Sequence, residues 1–158
     1  MLRALLAFGA AMLFAGCACS SKSSGNGPAG SGDLSGLQGT WEQRPEEGAA
    51  ATSPRQRVVK QVSGNNETVT TYSPDGQVVH AQAAKFRLGR SGEVPVYTFY
   101  DRRITAGPEQ GRADAAPRMF VYRLRGDEFD EVWGLLPGQE QRELVIKRWR
   151  REGSTSSR

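Results

Sequence analysis

The chain predicts an all-β fold: an eight-stranded antiparallel up-and-down barrel, preceded by an apolar leader and a flexible tether. Three observations carry this. From Gly36 onward no window holds apolar residues at i, i+3, i+4 and i+7, the stripe that an amphipathic helix needs. Short runs rich in Val, Tyr, Phe and Thr recur instead. Between most of them stand Gly, Asn, Asp, Ser or Pro, which supply the positive or preset φ of tight turns.

The leader comes first. Arg3 supplies a positive start, and Leu5 to Phe14 is an apolar run long enough for a secretory segment and too short for a spanning helix. Leu13-Phe14-Ala15-Gly16-Cys17 then places a cysteine after two small residues. This resembles the lipobox of bacterial lipoproteins, although Phe14 stands where that family usually has Leu. The resemblance implies residues 1–16 as a signal peptide and a diacylglycerol on the Cys17 thiol, which makes the lipid bilayer the first partner. The other reading is ordinary cleavage further on, for example after Ala18, with Cys17 discarded. Each buried acyl CH₂ contributes about 0.8 kcal/mol, so two or three chains would hold the protein on a membrane. Cys19 is the second of the 2 cysteines and is left without an internal disulfide partner. Residues 17–35 read as the lipidated Cys and a Gly/Ser-rich tether, and residues 153–158 as a frayed tail.

About 115 residues remain, Gly36 to Glu152, enough for one domain with a single core. The net charge is +4, and arginine supplies most of the 21 basic residues. So small an excess, in a chain with an envelope leader, does not point to nucleic acid as a partner.

The eight expected strands are Thr40–Arg44, Arg55–Val62, Glu67–Ser73, Gln77–Leu88, Val94–Ile104, Arg118–Arg125, Glu128–Gly134 and Glu143–Arg150. Ser63-Gly64-Asn65-Asn66, Ser73-Pro74-Asp75-Gly76, Gly89-Arg90-Ser91-Gly92 and Arg125-Gly126-Asp127 read as hairpin turns. Short connections make sequential strands antiparallel neighbours, and closing the meander removes its exposed edges. In a meander alternate loops share an end. The long segments Pro45–Pro54, Thr105–Pro117 and Leu135–Arg142 therefore gather at one rim, the expected mouth, with Trp41 at the opposite, closed end.

Gly39-Thr40-Trp41 opens the first strand, and Gly-x-Trp there resembles the signature of lipocalins. Gly64–Thr70, Thr105–Pro108, Glu131–Gly138 and the ending Val145–Arg148 are similar to a group of bacterial lipocalin-like envelope proteins. That resemblance implies a calycin-like barrel with Gly39 and Trp41 as structural signature residues. It also implies a late arginine stacked on Trp41. Arg148 and Arg150 are the candidates, and Arg148 is favoured because it shares parity with Leu144 and Ile146.

Alternation places Phe120, Tyr122 and Leu124 on one face, Phe129 and Trp133 on one, and Phe86 and Leu88 on one. The strand from Val94 is apolar on both faces. Tyr97, Phe99, Arg102, Arg118, Phe120, Tyr122 and Trp133 are accordingly the candidate ligand-binding residues. The alternative is that these rings simply fill an interior as narrow as that of eight strands. Arg44, Arg55, Arg102, Arg103, Arg112, Arg118 and Arg142 fall near the long-loop rim, as a ring for an acidic head group or as plain solvated charge. His80 has no nucleophile or second ligand beside it in the pattern. Asp127, Glu128, Asp130 and Glu131 read as a solvent-facing acidic cluster. Arg125-Gly126-Asp127 reads as a turn.

No nucleophile, base and orienting group can be assembled, so no catalytic residue, metal ligand or cofactor is expected. Two functions follow. One is an envelope lipoprotein whose barrel binds a small apolar or amphipathic ligand, with any acidic head at the arginine rim. The alternative is a structural or interaction lipoprotein with a filled core, contacting envelope proteins or glycan. A void of several hundred Å³ between the long loops favours the first; interdigitated Phe120, Tyr122, Phe129 and Trp133 favour the second.

Overall fold

The computed structural model describes residues 31–45 and 55–154. Cys17, Cys19, the leader, most of the tether and the last residues of the tail lie outside them. The elements are α1 (Ser31–Leu37), β1 (Gly39–Gln43), β2 (Arg57–Ser63), β3 (Asn66–Tyr72), β4 (Val78–Ser91), β5 (Val94–Ala106), β6 (Ala113–Asp114), β7 (Arg118–Arg125), β8 (Glu128–Trp133) and β9 (Val145–Arg151). Every pairing is antiparallel, and the order β4-β3-β2-β1-β9-β8-β7-β5 is closed by β4 against β5. This is an eight-stranded barrel, with the two-residue β6 appended to β5. Closure leaves the long strands no free edge.

Three turns show why the strands meet in sequence. Ser63 pairs with Asn66, Ser91 with Val94 and Arg125 with Glu128, so each loop has two residues. Gly64, Gly92 and Gly126 take its first place with φ of 56°, 60° and 54°. Positive φ at the first position alone is the type II′ pattern, whose twist matches that of paired strands. The second of these turns lies at Gly92-Glu93, not across Gly89–Gly92, because β4 continues to Ser91.

One bulge redirects the side chains of β5. Asp101 has φ 52°, and the β4–β5 register slips between Ala83/Arg103 and Lys85/Tyr100. Strict alternation after inward Phe99 would carry Asp101 and Arg103 inside. The extra residue reverses this: Asp101 and Arg103 are exposed, while Arg102 is half-buried and Ile104 buried.

The floor of the barrel is closed by α1, which takes in residues that the sequence reading assigns to the tether. Leu37 is fully buried and Leu34 packs on the core. Trp41 Nε1 donates to the Leu37 carbonyl at 2.8 Å, and Tyr122 Oη donates to Asp33 at 2.7 Å. The arginine over Trp41 is Arg151, its Cζ 4.3 Å from the ring centre, and not Arg148. β9 has the opposite parity to the one expected. Trp149 is buried, with Lys147 and Arg151 on its face, whereas Leu144 and Ile146 are exposed and Arg148 shares their side.

Candidate functional site

The barrel interior divides into two regions. The lower, toward α1, is filled. Phe86 stacks on Tyr97 at 4.7 Å between centroids, and Phe129 contacts Trp41, Tyr97 and Tyr122 at 5.7, 5.8 and 6.3 Å. Three charges stand among these rings. Lys60, Glu67 and Glu131 are 2%, 4% and 3% exposed. The Lys60 ammonium contacts Glu131 Oε1 directly and Glu67 Oε2 at 3.2 Å. Tyr97 Oη donates to Glu67 at 2.7 Å, and Trp149 Nε1 donates to Glu131 at 3.0 Å. The ammonium also lies 4.7 to 5.1 Å from the ring centres of Trp149, Tyr97 and Phe129.

Burial by itself pulls the ammonium pKa down, but the charges of Glu131 and Glu67 and their hydrogen bonds outweigh it and hold Lys60 above the ordinary lysine value. Burial, followed by the charges of Glu67 and Glu131, pushes the Tyr97 phenol well above its usual range. Sequence reading missed this cluster. Glu131 is not part of a solvent-facing acidic group. It alternates with Phe129 and Trp133, and Lys60 alternates with Val58 and Val62, so parity was the signal available. The other acids of that group do face out: Asp130 pairs with Arg123, Glu128 with Arg44 and Asp127 with Arg151.

The upper region faces the long loops. Phe99 stacks on Phe120 at 5.4 Å, and Phe120 meets Trp133 edge-on at 5.2 Å. Arg118 lies over Trp133, with its Cζ 5.6 Å from the ring centre, and donates to Asp114 Oδ2 at 2.8 Å. Arg102, turned inward by the bulge, stands 3.5 Å from the same carboxylate and 3.3 Å from Gln82 Oε1. Lys147 Nζ lies 5.8 Å from the Phe120 ring centre. The hydrogen bond from Arg118, then one from the Ala116 amide and the guanidinium charges, hold the Asp114 carboxyl below its usual value.

Beside this group opens a cavity of about 470 Å³ lined by Asp114, Arg118, Met119, Trp133, Gln139 and Arg142. Its far wall is the loop after β8. Gln139 fixes that loop by accepting from the Gly134 amide at 3.0 Å and donating to the Met119 carbonyl at 3.0 Å. Two buried donors here have no acceptor among the described residues, the Trp133 indole N–H and Arg102 Nε. Buried donors are rarely left so, because each forfeits the hydrogen bond it made in water.

The candidate ligand residues therefore separate. Phe99, Arg102, Arg118, Phe120 and Trp133 gather at the upper region. Tyr97 and Tyr122 lie in the filled half, with their hydroxyls committed to Glu67 and Asp33. The arginines do not form one ring: Arg44 pairs with Glu128 and Arg112 with Glu109, while Arg118 and Arg142 line the cavity with Trp133 and Arg102 reaches Asp114 on its wall. Among the described residues no group of His, Cys, Asp and Glu is placed to hold a metal ion. Comparison with protein-family models, curated proteins and solved structures returns no match.

Proposed function

We propose that the protein is a lipid-anchored bacterial envelope protein that binds a small amphipathic acid at the long-loop rim of its barrel. One observation supports the binding part above others: Trp133, whose indole N–H is orphaned, lines a partly apolar cavity that has more guanidinium than carboxylate charge, and Arg102, whose Nε is orphaned too, reaches Asp114 on its wall. A carboxylate or phosphate head would accept from Arg118, Arg102 and the indole N–H. Its apolar part would lie along Met119 and Trp133. The filled lower half limits the ligand to a size the rim cavity holds. The anchor rests on the lipobox-like Leu13–Cys17, which also supports the envelope location.

The alternative is an interaction protein of the envelope that binds no small molecule. The packing of Phe120, Tyr122, Phe129 and Trp133 with their neighbours favours it. Native mass spectrometry of the full chain, extracted from its own host, separates the two. A co-purifying small acid that is lost in Arg118→Ala supports binding. Its absence in repeated preparations, with no affinity for added medium-chain carboxylates or alkyl phosphates, overturns that reading in favour of the interaction protein.

A further inference from the structure

Lys60 and Glu131 lie 71 residues apart and meet side chain to side chain inside the barrel, β2 against β8. Those strands are not neighbours in the sheet, since β1 and β9 separate them. We propose that Lys60 Nζ and Glu131 Cδ condense to an isopeptide cross-link, with Glu67 as the proton carrier.

Three features of the cluster carry this. The amine and the carboxyl are in contact, which is the proximity that converts a slow bimolecular condensation into an intramolecular one. Water is excluded: the three side chains are 2–4% exposed and the ammonium is flanked by Trp149, Tyr97 and Phe129. A second carboxylate, Glu67, reaches the same nitrogen at 3.2 Å. Burying three charges in such surroundings is costly, and the amide removes two of them.

The step balances without a co-reactant. A proton passes from Nζ to Glu131 Oε1 along their contact, giving a neutral amine and a neutral acid at unchanged net charge. The ion pair is the resting form, because the two carboxylates hold the ammonium proton, and the neutral pair is reached from it as a minor state, one that low dielectric penalises less than it would separated charges. The carboxyl then turns its face to the amine about its terminal torsion, which is soft. The nitrogen lone pair attacks Cδ and the N–C bond forms. Glu67 takes a second proton from the nitrogen and delivers it to the departing oxygen. The Cδ–O bond breaks and one water leaves. The product suits the partners already in place: the remaining N–H donates to Glu67, and the amide oxygen accepts from Trp149 Nε1, which now bonds Glu131 at 3.0 Å.

Denaturing intact-mass analysis of the full chain, with tryptic mapping, tests this. The expected wild-type mass lies one water below that calculated from its sequence and processing. Trypsin should fail to cleave after Lys60, and a branched peptide should join Lys60 to Glu131. Lys60→Arg, which keeps the charge and cannot form the amide, should show no loss of water. Glu67→Gln should leave a larger un-ligated fraction at matched time. A wild-type chain at full calculated mass that is cleaved after Lys60 overturns the proposal, as does a water loss mapped to any other pair. Neither result bears on the rim site.

Discussion

Arg151 fastens the floor of the barrel to Trp41. Its guanidinium covers the indole at 4.3 Å and donates to the carbonyls of Gly36 and Gln38, each at 2.6 Å. Gly36 belongs to α1 and Gln38 joins α1 to β1, so one side chain ties the last strand, the first strand and the plug together. Arg151→Ala is expected to cost about 2–4 kcal/mol, from a cation–π contact of about 0.5–2 and hydrogen bonds from a charged donor. Arg148→Ala, exposed on the outer face, is expected to cost less, at most about 1 kcal/mol, the worth of a surface interaction. Urea denaturation of the two variants checks the contrast.

The plug itself should be separable from the barrel. Tyr122→Phe removes the 2.7 Å bond to Asp33 and is expected to cost about 1 kcal/mol. Amide exchange in residues 31–37 should quicken more than in β7, because the bond holds α1 and not the sheet.

Removing one member of the buried charge cluster should be severe. Measured against the un-ligated chain, Lys60→Ala leaves Glu67 and Glu131 buried side by side with no cation, at an expected cost of about 3–5 kcal/mol. Denaturant midpoints measure it.

Alkaline stability should carry the signature of Tyr97. Its phenol pKa is raised in the folded chain, so the native state keeps a proton that the unfolded state gives up above about pH 10. The unfolded state then binds fewer protons, and stability falls as pH rises. The contribution is whole below about pH 10 and declines by at most about 1.4 kcal/mol per pH unit until the native value is passed. Tyr97→Phe should flatten that limb. An unchanged slope would place the phenol in contact with solvent.

At the rim, Asp114 competes with any acidic ligand for Arg118 and Arg102. Asp114→Asn is expected to tighten binding of a medium-chain carboxylate roughly tenfold, and Arg118→Ala to weaken it by a similar factor, a change of about 1.4 kcal/mol each way. Isothermal titration checks both signs.

The strands were legible because their chemistry is local. Alternation and glycine turns mark each, and the rim followed from loop lengths. Side-chain direction was less legible, for two physical reasons. The outer wall carries its own aliphatic row, Val96, Val121, Val132 and Ile146 in register, so apolar character does not mark the inside of β9. The bulge at Asp101 resets parity in mid-strand, and nothing in the local sequence announces it. Lys60 and Glu131 were hidden for a related reason: a charged residue on an inward face makes sense only beside its partner, and that partner lies on a distant strand. The helix Ser31–Leu37 is too short to show a period, and Leu34 and Leu37 are its only large apolar residues.

The three indoles give the most direct test of ligand binding at the rim. Trp41 and Trp149 donate to Leu37 and Glu131, while Trp133 donates to no described residue. In a ¹H–¹⁵N spectrum titrated with a medium-chain carboxylate, the Trp133 indole proton should move downfield and saturate, with the other two fixed. A Trp133 signal that stays still at saturating carboxylate, or three indoles that drift together without saturation, would contradict binding at this rim.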